Sequence, residues 1–140
     1  GQSTSTGGGV LLYFSVPSGT RSITMTLEMS GDFIYYNEHV NIYASGNLIG
    51  SNVSTGYSSS TLRIPSGWSN KSISSSNWSA DSSLTIAFDA TDYVSGSEHG
   101  GHTYLVTLTY NWSKSNRNSN ISSESYNDSI QKVKEFKKTI

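Results

Sequence analysis

The sequence predicts an all-β fold, an antiparallel β-sandwich, on three observations. Apolar and polar residues alternate over several short runs, turn residues punctuate those runs, and nothing before residue 114 has the period of a long helix. The clearest run is 22–30, where Ile23, Met25, Leu27 and Met29 alternate with Ser22, Thr24, Thr26 and Glu28, the two-residue period of a strand with one buried face. Before it, Leu12, Phe14 and Val16 mark a strand over 10–16, and Pro17-Ser18-Gly19-Thr20 supplies the turn between the two.

Residues 37–50 read as a complete hairpin. Val40, Ile42 and Ala44 alternate with Asn41 and Tyr43, and Ser45-Gly46-Asn47 then reverses the chain before Leu48 and Ile49 resume, with Gly46 and Asn47 expected to carry positive φ. A short strand over 61–64 is closed by Pro65-Ser66-Gly67. The Ser/Asn-rich run 68–83 has no steady period and predicts an irregular excursion with one helical turn near 77–81. Leu84, Ile86 and Phe88 define a strand over 84–89, after which Asp89-Ala90-Thr91-Asp92 is expected to open a Gly-rich loop. Tyr104, Val106, Leu108 and Tyr110 define the last body strand, over 103–112. About seven strands and no long helix place the body among sandwiches and jelly rolls.

The flanks differ in composition. Residues 1–9 are Gly, Ser, Thr and Gln only, a flexible linker by composition, and 10–113 form the sandwich domain. Residues 114–140 are a polar linker followed by an amphipathic C-terminal helix. Tyr126, Ile130, Val133 and Ile140 recur at helical spacing, Ser125 with Asp128 resembles a capping box, and Lys132, Lys134, Lys137 and Lys138 lie toward the end that a helix dipole makes favourable for cations.

A chain of 140 residues can bury a core without covalent staples, and it has no cysteine, so disulfide and thiolate-metal readings fall away. Ser and Thr supply 43 residues and Asn 11, against 14% charged, a hydroxyl-rich surface of the kind found on secreted, cell-surface and virion proteins. The start at Gly1-Gln2, without Met, reads as a processed or trimmed end. Over 10–113 three basic residues stand against seven acidic ones, for −4, while 114–140 carry +3. An acidic body argues against nucleic-acid binding, and no apolar run approaches the roughly 20 residues that span a bilayer.

Asp32 and Glu38 flank one loop and Asp89 and Asp92 another. Strands alternating in direction would open both loops at one end, where carboxylates together with carbonyls suit Ca²⁺; turn chemistry alone also accounts for acids at these positions. Tyr57, Trp68 and Trp78 are candidates for stacking on sugar rings, and equally for plugging the sandwich. His99-Gly-Gly-His102 has chelating spacing but no third soft ligand. Asn52, Asn70, Asn77, Asn111, Asn120 and Asn127 each satisfy Asn-x-Ser, the acceptor for N-glycosylation, a mild enrichment in so Ser-rich a chain. No Gly-x-Ser-x-Gly elbow, His-Glu-x-x-His helix or phosphate-cradling loop is present, so no enzymatic signature stands out.

Residues 23–110 resemble a cysteine-free CUB-type sandwich. The resemblance lies in Glu38-His39-Val40-Asn41-Ile42-Tyr43, an acid before an aromatic and aliphatic strand, and in Leu84-Thr85-Ile86-Ala87-Phe88 running into acids. It implies Ca²⁺ held by acids at the positions of Glu28 or Asp32, Glu38, and Asp89 or Asp92, and a site that engages protein partners. The chain departs from that family in lacking its disulfides and the Asp-Gly after Ile-Tyr, and in the added residues 65–83. Adhesin-type sandwiches of bacteria and viruses resemble it nearly as well. The expectation is a non-enzymatic extracellular or surface-exposed module for adhesion or assembly, binding protein or glycan, with self-assembly through the termini. The alternatives are a Ca²⁺-dependent carbohydrate-binding module and a structural subunit of a filament or virion.

Overall fold

The computed structural model describes residues 2–34, 38–80, 82–95, 98–114, 122–130 and 136–139, with side chains over 9–34, 38–80, 82–91 and 102–111. Its strands are β1 (Gln2–Ser15), β2 (Thr20–Asp32), β3 (His39–Ala44), β4 (Asn47–Val53), β5 (Ser58–Arg63), β6 (Lys71–Ile73), β7 (Ser83–Ser95), β8 (Glu98–Lys114), β9 (Ser122–Ile130) and β10 (Phe136–Thr139). The excursion does hold one helical turn, a 3₁₀ turn at Ser75–Asn77 that starts two residues before the expected 77–81 and is capped by the Ser74 side chain. Among the described residues no helix is long and apolar enough to cross a membrane.

All pairings are antiparallel and form two sheets. The first has the order β1-β7-β3-β4. In the second, β2 and β8 lie side by side. β6 and β5 line the free edge of β2 in turn, and β9 and β10 line that of β8.

Alternation builds the core. Val10, Leu12 and Phe14 of β1, Val40 and Ile42 of β3, and Leu84, Ile86, Phe88 and Ala90 of β7 are buried. They join Ile23, Met25, Leu27 and Met29 of β2 and Tyr104, Val106, Leu108 and Tyr110 of β8 in one cluster. Each sheet thus turns one face to the other, a sandwich-like arrangement. Phe88 stacks on Tyr104 across the gap, with centroids 4.2 Å apart and planes 16° apart.

The turns obey backbone geometry. Gly19, at φ 84°, occupies the third position of the turn closed by Thr20 N–H to Pro17 O. In the β3–β4 hairpin Ala44 pairs with Asn47, so positive φ falls on Ser45 (45°) and Gly46 (86°), as a two-residue primed turn requires, and not on Asn47.

Two expectations about whole segments also change. β7 does not end at Asp89. Ala90 continues the buried face and Thr91 pairs with His39, so the Asp-Ala-Thr-Asp segment is strand and its turn-forming composition is overridden by pairing. The C-terminal helix over 125–140 is not shown: the described backbone there is extended and paired to β8, with Tyr126 opposite Tyr110 and Ile130 opposite Val106. A spacing of four satisfies a strand's period as well as a helix's, and the Ser, Asn and Asp around Tyr126 are weak helix formers.

Truncating the buried face of β7 with Ile86→Ala should lower stability by about 2–4 kcal/mol in urea denaturation, while Thr85→Ala, one residue along on the outer face, should cost under about 0.5 kcal/mol. Equal losses would place both faces of β7 in the core.

Candidate functional site

The end of the sandwich where β2 and β7 finish is the one the acids pointed to. Only two residues separate β7 from β8, and Ser30 near the end of β2 pairs with Thr103 near the start of β8, so both strands end at the same side. The side chains there form an aromatic and polar cluster. Phe33 stacks on the buried His102 with centroids 4.1 Å apart. The ring Nε2 of His102 lies 3.1 Å from Asp32 O, and a carbonyl only accepts, so Nε2 carries the proton. Nδ1 is then free to accept from the Tyr104 hydroxyl 3.5 Å away, at the long limit of a hydrogen bond. His102 is therefore a core histidine anchoring the loop after β2 to β8.

Three of the four nominated acids, Asp32, Glu38 and Asp89, have described side chains. Glu38 is buried, at 1% exposure, whereas Asp89 stands on the outer face of the first sheet, level with Gly9 and Asn41. Asp32 belongs to the second sheet, and its Oδ1 accepts from Ile34 N–H. The β3–β7 register, carried one residue past His39 and Thr91, puts Glu38 level with Asp92, whose side chain lies outside the described residues. Among the described residues no three His, Cys, Asp or Glu side chains come together.

The aromatic candidates also separate. Trp68 is buried at 4% exposure, and Trp78 packs on the core while its Nε1 donates to Ile73 O. Tyr57 is exposed, but the Arg63 guanidinium covers one face of its ring at 3.9 Å. Of the glycosylation candidates, Asn52 and Asn70 are exposed and Asn111 is half-buried. Asn77 is buried and its Oδ1 accepts from Asn47, so its amide is engaged in the fold. The side chains of Asn120 and Asn127 lie outside the described residues, as does that of His99.

Trp68 forms the floor of a groove of about 350 Å³ between β4 and the 65–71 segment, walled by Ile49, Asn52, Ser66 and Lys71. The Lys71 ammonium sits 5.1 Å from the Trp68 ring centroid, a cation–π geometry. Gly50 makes room for the indole, since a Cβ there would come within 2.4 Å of Trp68 Cζ2.

The most distinctive surface is the outer face of the first sheet. Leu11 pairs with Ala87, Ala87 with Tyr43, and Tyr43 with Leu48, so one row of apolar and aromatic side chains crosses all four strands. Leu11 is 46% and Leu48 54% exposed, and Tyr13, in the next row beside Thr85, is 63% exposed. On the second sheet two adjacent outward rows are hydroxylic, Thr24 paired with Thr109 and Thr26 with Thr107, and the next sets Glu28 beside Leu105. The signal for the apolar row was present in the sequence, since Val10-Leu11-Leu12-Tyr13-Phe14 is apolar on both strand faces. Which residues stand beside Leu11 depends on register. Compared with family models, with curated proteins and with solved structures, the chain matches none.

Two outcomes follow. Gly50→Ala should destabilise by about 1–3 kcal/mol through collision with the indole, read as a lower thermal midpoint. His39, half-buried with no partner for Nδ1 among the described residues, has its pKa lowered below the ordinary 6.5 by burial. The unfolded chain therefore takes up the proton first as pH falls: the neutral ring's contribution is complete above the ordinary value and is lost as pH drops through the lowered one. Between about pH 8 and about pH 5, the midpoint of the wild type should fall further than that of His39→Gln. Parallel curves would show that His39 is not desolvated.

Proposed function

We propose that this chain is a non-enzymatic, extracellular or surface-exposed β-sandwich module, of the jelly-roll or CUB-like kind, that works by contact in adhesion or assembly. The observation that carries the reading is the row Leu11, Ala87, Tyr43 and Leu48. A solvated sheet face is normally polar, and an apolar row rimmed by polar groups marks a surface built to be covered. Asn41, Asp89 and Thr85 rim this row and can fix the orientation of a partner. A hydroxyl-rich exterior with few charges supports the same reading, since it keeps the remaining surface wet without strong electrostatic specificity.

A glycan is the second reading, favoured by Tyr13 and Tyr43 standing on one face among hydrogen-bonding side chains. Both readings use the same face, so one pair of substitutions addresses them. Beads coated with the wild type should be retained on a protein-coated surface, on a printed glycan array or on beads of their own kind. The Tyr43→Ser, Leu48→Ser double variant should lose roughly tenfold in retention with an unchanged thermal midpoint. Retention on the glycan array alone would select the second reading. Equal retention of both proteins, or none by either, would overturn the assignment of this face.

A further inference from the structure

We propose that β1 is a self-pairing edge: two copies of this chain join through residues 9–15 of β1, antiparallel about a twofold axis, with Leu11 of each opposite Tyr13 of the other. β1 closes the first sheet on one side, and no described strand pairs with its other edge. Such an edge invites a strand unless it is guarded by charge, proline or irregularity. β1, Gln2–Ser15, contains no charged residue and no proline, and its irregularity, between Thr6 and Gly9, falls before the segment in question. The other outer strands are guarded. β5 carries Arg63 and β6 Lys71, β9 carries Glu124 and Asp128, and β10 two lysines. β4 is uncharged, but its register against β3 slips twice and Asn52 sits at φ 53°.

The ladder identifies the groups that are open. Val16 N–H donates to Ser82 O, on the β7 side, and hydrogen bonding alternates along an antiparallel ladder. Past the register shift, Val10, Leu12, Phe14 and Val16 are thereby turned toward β7. The N–H and C=O groups of Gly9, Leu11, Tyr13 and Ser15 lie on the open edge.

A second copy suits this edge better than any other strand of the chain. Paired so that Leu12 meets its own counterpart, the two segments set Leu11 against Tyr13 twice, and each of these is a pair whose open N–H and C=O groups can be exchanged. The register keeps Val10, Leu12 and Phe14 on the core side in both copies, because pairing odd with odd leaves every side chain on its own face. It also places the most exposed large apolar residues of β1, at 46% and 63%, beside each other at the seam. Pairing β1 with the β4 of another copy would generate an open filament instead, and the irregular β4 offers a poor ladder.

The inference rests on the assembly reading, for which it names the partner as a second copy, and its test separates the two. Sedimentation over a dilution series should show a monomer and dimer only. Amide exchange should show Leu11 and Tyr13 protected at high concentration and fast on dilution, with Leu12 and Phe14 slow throughout. Leu11→Lys with Tyr13→Lys sets like charges opposite each other twice and should raise the dissociation constant roughly tenfold, with the monomer's thermal midpoint unchanged. Leu11→Lys with Tyr13→Glu sets each lysine opposite a glutamate and should restore the dimer. A monomer at every concentration, an open-ended series of larger species, a dimer indifferent to the two lysines, or failure of the complementary pair to recover would each overturn it. A monomer whose bead retention still falls with Tyr43→Ser, Leu48→Ser would sink the dimer and leave the functional reading standing. A dimer with unaffected retention would do the reverse.

Discussion

Phe88 of the first sheet lies against Tyr104 of the second, 4.2 Å between centroids, and the rest of the structure is arranged around keeping those two faces together. Tyr104 leads on through its hydroxyl to His102, and His102 stacks on Phe33, so an aromatic chain runs from the middle of the core to the end of the sandwich. Its polar members are tolerated at full burial because the protein supplies their partners. The Nε2–H of His102 finds the Asp32 carbonyl, which at the same time pins the loop leaving β2. Dispersion and apolar burial hold the sheets together, and these few hydrogen bonds decide how the end is closed.

Once one face of each sheet is committed to that core, alternation dictates what the outer faces display. On the second sheet the two middle outward rows are threonines, stiff at χ1 and well suited to a solvated strand. On the first sheet the same alternation exposes Leu11, Ala87, Tyr43 and Leu48 in one row. The two faces obey one geometric rule and carry opposite chemistry. This asymmetry is what supports assigning contact function to the first sheet, and the unguarded β1 lies at the border of the same face.

The tryptophans illustrate how packing disposes of a residue that chemistry nominates. Trp68 is drawn into the side of the core by Gly50, which leaves space for its indole, and Trp78 is held by its Nε1 bond to Ile73 O. Packing thus satisfies the apolar ring of each and, for Trp78, a donor at once. What remains of that corner is a polar groove with a lysine over the indole.

The sequence by itself determined the strands whose alternation is strict. β2, β3, the β3–β4 hairpin and β8 were legible because a two-residue period with one apolar face has no other compact solution, and the Ser-Gly-Asn turn located the reversal. It also determined that no cysteine chemistry operates here. The tertiary structure decided everything that depends on which strand lies beside which. Asp89 and Asp92 look like a turn in the chain and are strand in the sheet, because Ala90 is wanted by the core and Thr91 by His39. Tyr126 and Ile130, four apart, fit either period, and pairing with β8 set them in extended backbone. Glu38 and Asp89 are both acids near an apolar strand, yet one is buried and the other stands on an outer face. The apolar row belongs to the same category: its four residues lie far apart in the chain and become neighbours only through register, a property of pairs of strands that no single strand contains.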